Sequence, residues 1–242
     1  MESQSVSISG SGRVSGGEYT QVRISGSGRV EGDVIAQEIR VSGSARFQGT
    51  VKAKEISVSG SGKFTSRVEA DILVTSGSCG IEGDAMVKEL RSSGAQRIGG
   101  SLRGHYVRVS GVLNVACDLE TDVFNSSGRF EIGGLLSADR VEVKLVGDSR
   151  AREIGGENID IRASSGFNFG FSLSRGLRFG VGIGTLTVGE IEGDHIHLEA
   201  TTADVVRGKI VDIGPGCRIG RVEYTESLEV HPEAEVREKI KR

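Results

Sequence analysis

The chain of 242 residues has no tryptophan and two prolines, and aromatic residues make up 5% of it. So few rings argue against an ordinary globular core and leave small and β-branched residues to fill the interior. With proline nearly absent, glycine must make the chain reversals, and there are 37 glycines. The three cysteines, Cys79, Cys117 and Cys217, are odd in number, far apart and without CxxC spacing. That argues against a disulfide framework or a structural zinc site, and a reducing compartment fits. Charge of one sign is also lacking: 30 Lys and Arg against 33 Asp and Glu leave −3. No general pull toward nucleic acid or anionic membrane follows. No apolar run reaches the roughly 18 residues of a membrane span, and the start, MESQSVSISG, has neither a basic nor an apolar leader segment. The expectation is a cytoplasmic, non-spanning protein without nucleic acid, cofactor or metal.

What the chain does have is a period. Ser25-Gly26, Ser42-Gly43, Ser59-Gly60, Ser76-Gly77, Ser93-Gly94, Ser110-Gly111 and Ser127-Gly128 recur every 17 residues, and Ser9-Gly10 precedes them by 16. A fixed period of this size marks stacked repeats, each of which buries its apolar face only against its neighbours. Counting a unit from Val22, the first position holds Val22, Ile39, Ile56, Leu73, Leu90, Val107, Phe124 and Val141. The ninth holds Val30, Phe47, Phe64, Ile81, Ile98, Val115 and Ile132, and the thirteenth Val34, Val51, Val68, Ala85, Leu102, Leu119 and Leu136. Alternation around these columns has period two, which means strand. The predicted fold is all-β: a β-solenoid, a triangular parallel β-helix of about 17 residues per turn, with Ser-Gly at one corner. Glycine there is expected to supply special backbone angles, and serine to satisfy a backbone group.

Regular repeats are expected over 6–140 and less regular coils over 141–166 and 184–225. Between these, 167–183 alternates large apolar residues, Phe167, Phe169, Phe171 and Leu173, then Leu177, Phe179, Val181 and Ile183, about a Ser174-Arg175-Gly176 turn. It reads as an inserted amphipathic β-hairpin that either packs on the solenoid or meets a membrane or partner through Phe167, Phe169, Phe171 and Phe179. Residues 226–242, rich in charge and containing Pro232, are expected as a short helix or disordered tail that limits growth at that end.

Chemistry is sparsely signalled. His195 and His197 share one strand face and could begin a metal site with Cys217, but a solvated histidine pair explains them as well. Arg23, Arg40, Arg91 and Arg108 form one basic column, and Arg13, Arg29, Arg46, Lys63 and Arg97 another. Acids nearby, Glu31, Asp33, Glu38, Glu55, Glu82, Asp84 and Glu89, make a mixed solvated wall the better reading. Ile213 to Gly220 resembles one turn of the hexapeptide-repeat acyltransferases. The period of 17 does not sustain that pattern, and no clustered acids suggest a carbohydrate-cleaving β-helix. No catalytic residue is assigned.

The phrases Arg29-Val30-Glu31-Gly32-Asp33-Val34, Arg46-Phe47-Gln48-Gly49-Thr50-Val51-Lys52-Ala53-Lys54-Glu55 and Gly80-Ile81-Glu82-Gly83-Asp84-Ala85-Met86-Val87-Lys88-Glu89 resemble the bactofilins. The resemblance is good over roughly residues 6 to 140. It implies a right-handed β-helix that polymerises without nucleotide into non-polar filaments. It further implies a scaffold for cell shape, wall synthesis or motility, with itself, other bactofilins, wall or motility proteins and the inner face of the membrane as partners. This chain is longer in regular repeats than a typical bactofilin, and its start is too polar for that family's membrane-targeting peptide.

Independently of the resemblance, a solenoid ends in open rows of strand hydrogen-bonding groups that invite another chain. Val6, Ile8, Val22 and Ile24 are the residues expected at the N-terminal assembly surface. The alternatives are a monomeric surface-binding module or an enzyme of one of the two β-helical kinds above.

Overall fold

The computed structural model describes residues 4–164 and 184–242. Every regular element among them is a strand, and every strand pairing is parallel. The chain winds into a β-solenoid of about 13 turns. We number the turns by the residue in the first inward column, from Val6 in turn 1 through Val22, Ile39, Ile56, Leu73, Leu90, Val107, Phe124, Val141, Ile159, Ile196 and Val211 to Leu228 in turn 13. Two further inward columns, through Val30, Phe47 and Phe64 and through Val34, Val51 and Val68, give the coil three sides.

Stacking like on like fills the interior. Val22, Ile39, Ile56, Leu73 and Leu90 are all fully buried. Phe47 lies on Phe64 with ring centroids 4.7 Å apart and planes 7° apart, while Phe124 meets Phe130 edge-on at 5.3 Å. Offset and edge-on ring pairs add to burial about 0.5–1.5 kcal/mol each. The four phenylalanines among the described residues are thus all used inside the coil.

The Ser-Gly corner works differently from the sequence expectation. Among the described residues only Gly17, Gly32 and Gly216 are glycines with positive φ, so the corner glycines need no special angles. They need closeness. A β-carbon on Gly26, Gly43, Gly60, Gly77, Gly94 or Gly111 would stand 2.0–2.1 Å from the carbonyl oxygen of the corner glycine one turn earlier. The serine and glycine amides both donate to the same carbonyl below; from Ser42 and Gly43 to Ile24 O the distances are 2.9 and 3.2 Å. The residue after each pair then donates to the previous corner glycine, as Ser44 does to Gly26 O at 2.8 Å. It is the serine amide, more than its hydroxyl, that holds the corner.

At a second corner, acids act as backbone caps, among them Asp33 and Asp84, which the sequence presents as counter-charges. Asp33 accepts from the Thr50 amide at 2.7 Å, Asp84 from Ser101 at 2.9 Å and Asp118 from Leu135 at 2.9 Å. Each satisfies a donor of the turn above where the strand breaks.

The later coils continue with unequal turns, and register shifts at the corners absorb the difference. Ile159 and Ile196 are direct partners although 37 residues separate them in sequence. The strand Ser149–Ala163 ends, and the next described strand begins at Leu186, at the corner that carries Ser-Gly in earlier turns. The hairpin expected over 167–183, with Phe167, Phe169, Phe171 and Phe179, lies outside the described residues. Residues 226–242 are neither helix nor tail. The strand Arg218–Val230 runs through 226, and Glu235–Lys241 pairs parallel with it as part of a further turn. Val236 and Ile240, spaced for a helix, find strand pairing on the preceding turn instead, and tertiary context overrides local preference.

Candidate assembly surfaces

The two ends of the coil differ from every other turn. In turn 1 Val6, Ile8 and Val14 are half-buried, whereas Val22, Ile24 and Val30, directly above them in the same columns, are fully buried. Val6 and Ile8 therefore belong to the end surface. Val22 and Ile24 do not: they lie one turn inside, covered by Val6 and Ile8 on one side and Ile39 and Val41 on the other. Tyr19 completes the end, half-buried, with its hydroxyl donating to Ser15 O at 2.7 Å. Among the described residues, nothing pairs with the outer edge of Ser5–Ile8 or Ser11–Val14.

Turn 13 also leaves Leu228, Val230 and Val236 half-buried. Its character is more polar, for Lys239 occupies the inward column held by Val222 in the turn before. Beside it Glu223 is only 3% exposed, and its carboxylate meets Arg207 at 3.2 Å, Arg221 at 3.0 Å and Arg242 at 2.6 Å. A buried carboxylate with three guanidiniums is costly to break, so this cluster pins the last turns together. Nothing in the sequence pattern distinguishes Glu223 from the exposed acids around it.

The long walls are mixed in charge. Arg13 pairs with Glu31 at 3.1 Å, Lys63 with Glu82 at 2.6 Å, Arg91 with Glu89 at 2.6 Å, and Arg40 with Glu38. Of the histidine candidates, His197 is held between Asp212 at 2.7 Å and Glu199 at 3.4 Å. Cys217 points the other way, buried, with its thiol on Leu198 O at 3.2 Å. The structure does not bring His195, His197 and Cys217 together. The Ile213-to-Gly220 segment forms a corner whose Pro215 carbonyl accepts from the Ala200 amide at 3.0 Å.

Cys79 is buried in an inward column between Thr75 and Gln96, and Cys117 is exposed. Burial pushes the Cys79 thiol from 9.0 up to about 11, partly offset by hydrogen bonds with Gln96 and Thr75, and burial likewise raises Cys217 to about 11. The folded state thus favours both neutral thiols. Their contribution to stability is complete below pH 9 and is lost as the pH rises through about 11. Thermal melts should show Tm falling across that window, and the fall should shrink in Cys79→Ala/Cys217→Ala.

Comparison with known proteins gives two relatives, both from Bacillus subtilis (strain 168) and both described as uncharacterized. The chain is 39% identical to YhbF over 107 residues, which is 44% of this chain and 41% of that protein. It is 41% identical to YhbE over 102 residues, 42% of this chain and 40% of the relative. The chain thus spans about two-fifths of the length of each. No protein-family model and no solved structure matches it. No helix among the described residues is long and apolar enough to cross a membrane.

Proposed function

We propose that this protein is a non-enzymatic, polymer-forming scaffold of the bactofilin kind, assembling end to end through its terminal turns without nucleotide, in the cytoplasm. The observation that carries this reading is the first turn, where the apolar ladders break off half-exposed beside an unpaired strand edge. A second chain placed there continues both the ladders and the hydrogen bonds with the geometry the coil uses internally. The Ser-Gly period and the bactofilin-like phrases of the first eight turns support the same reading. Clients tied to cell shape, wall synthesis or motility follow from the family likeness. Negative-stain microscopy of the purified protein at low micromolar concentration tests it. The expected images show filaments built of solenoids joined at their ends, and dispersed single particles at every salt concentration would refute it.

A further inference from the structure

One wall changes sign along its length. Its outward column next to the first inward one carries Arg23, Arg40, Arg91 and Arg108 in turns 2 to 7, in uninterrupted pairing register. The same column then carries Glu142, Asp160, Asp212 and Glu229 in turns 9, 10, 12 and 13, with His197 in turn 11, which the two-fold proposed below sets opposite Ser57. The neighbouring outward column does the reverse, with Glu38, Glu55 and Glu89 in the first half and Arg140 and His195 in the second. Both columns are apolar in turn 5, with Ile72 and Val74, and the second is apolar in turns 7 and 8, with Tyr106 and Val123, beside Arg108 and Asn125 of the first; the four apolar side chains point outward, half-buried. Half-buried apolar side chains set among charges that reverse in sign from one half of the wall to the other suit an interface between two such walls.

We propose that this wall binds the same wall of a second copy, antiparallel, about a two-fold axis lying between turns 7 and 8. Such an axis, in the plane of the wall and perpendicular to the stack, lays each column on itself in reverse. Turn 2 then meets turn 13 and turn 6 meets turn 9. In the first column Arg23 faces Glu229, Arg40 faces Asp212 and Arg91 faces Glu142 of the second copy. In the other, Glu55 faces His195 and Glu89 faces Arg140. Tyr106 lies on Val123 beside the axis. Every contact occurs twice, and no like charges meet.

The two acids opposite aliphatic residues keep their own arginines: Asp160 opposite Val74 has Arg162 at 2.9 Å, and Glu38 opposite Ile210 has Arg40. The within-chain pair Arg91–Glu89 at 2.6 Å stacks on the inverted pair Arg140–Glu142 at 3.9 Å, so four charges alternate in sign. Sliding by one turn spoils the match. In one direction Arg108 meets itself; in the other both charge pairs of the second column are lost. At about 4.8 Å per turn the matched wall is about 58 Å long and about 10 Å wide. It buries on the order of 1,200 Å² in total, the lower end for specific interfaces. The ends of both copies stay open, so the pairing does not depend on end-to-end growth.

Charge reversal by mixing tests this. Arg91→Glu sets Glu against Glu142 in its own dimer, and Glu142→Arg sets Arg against Arg91. A dimer of one variant with the other restores both contacts. Sedimentation velocity is run on full-length protein carrying Ile8→Lys, which removes stacking at the first turn. The parent is expected to sediment as a dimer in about 50 mM salt and to dissociate near 500 mM, where charges a few ångströms apart are screened. Each reversal alone is expected to raise the dimer Kd about tenfold or more, and the equimolar mixture to return it to the parent value. The circular dichroism of each variant should match the parent's. A pair of chains that persists through both reversals, a parent that is monomeric at low salt, or a mixture that stays monomeric would each overturn the proposal.

Discussion

Gly77→Ala is expected to destabilise the coil by about 3 kcal/mol or more, although it adds one methyl group at a surface corner. The added β-carbon would stand 2.1 Å from Gly60 O, 2.4 Å from Ser59 O and 2.7 Å from Ser59 C. All three are backbone atoms, and Gly60 O already accepts from the Ser78 amide at 2.9 Å, so there is no side chain to rotate away. Ordinary overpacking costs about 1–3 kcal/mol, and a clash the neighbours cannot relieve belongs at or above the top of that range. The control is Gly80→Ala, three residues on, where a β-carbon meets nothing within 4 Å. That change should stay within about 1 kcal/mol of the parent, since it only narrows the unfolded ensemble. Urea unfolding followed by circular dichroism compares them, and equal midpoints would mean that the corner relaxes in a way the geometry does not show. Because each turn contacts only its neighbours, the Gly77 defect should also broaden the transition as the stack separates at turn 5.

Ile8→Lys should abolish filaments while leaving the monomer folded. Ile8 is half-buried in the open turn, so a lysine stem can lie along the core's edge with its ammonium in water. A second chain stacked on that turn traps the charge without a partner. Even a penalty of about 3 kcal/mol raises the assembly concentration about a hundredfold. Light scattering against concentration reads the shift, and circular dichroism reports whether the fold survives. Ile24→Lys is the contrasting change. Ile24 is fully buried one turn inside, so that variant should lose the fold itself. If Ile8→Lys polymerised as readily as the parent, growth would not proceed through the first turn.

Much of the architecture is legible in the chain because lateral pairing in a solenoid copies sequence period directly into space. The columns through Val22, Val30 and Val34 coincide with the buried ladders for that reason. The corner was legible as a place but not as a cause, since a repeated glycine reads the same whether it serves a rare φ or a close backbone approach. Val236 and Ile240 illustrate another limit: spacing of four suits a helix and, across a corner, a strand. The sign reversal on the wall was hidden by the uneven later turns. Glu142 follows from the period of 17, but without the partners Val141–Ile159 and Ile159–Ile196 nothing aligns Asp160 and Asp212 with the column of Arg23 and Arg40. The reading of that column as a basic stripe saw only its first half.

The step from Ile159 to Ile196 carries a lesson for altering this protein. Register is restored on the far side of the interruption as though the intervening segment had been spliced out, because each rung takes its address from the rung beneath and not from the residue before it. That corner is a socket. A foreign domain whose two termini lie close together, joined between Ser164 and Gly184 in place of the native segment, should ride on the outside of the coil at one fixed height while the rungs above and below close ranks.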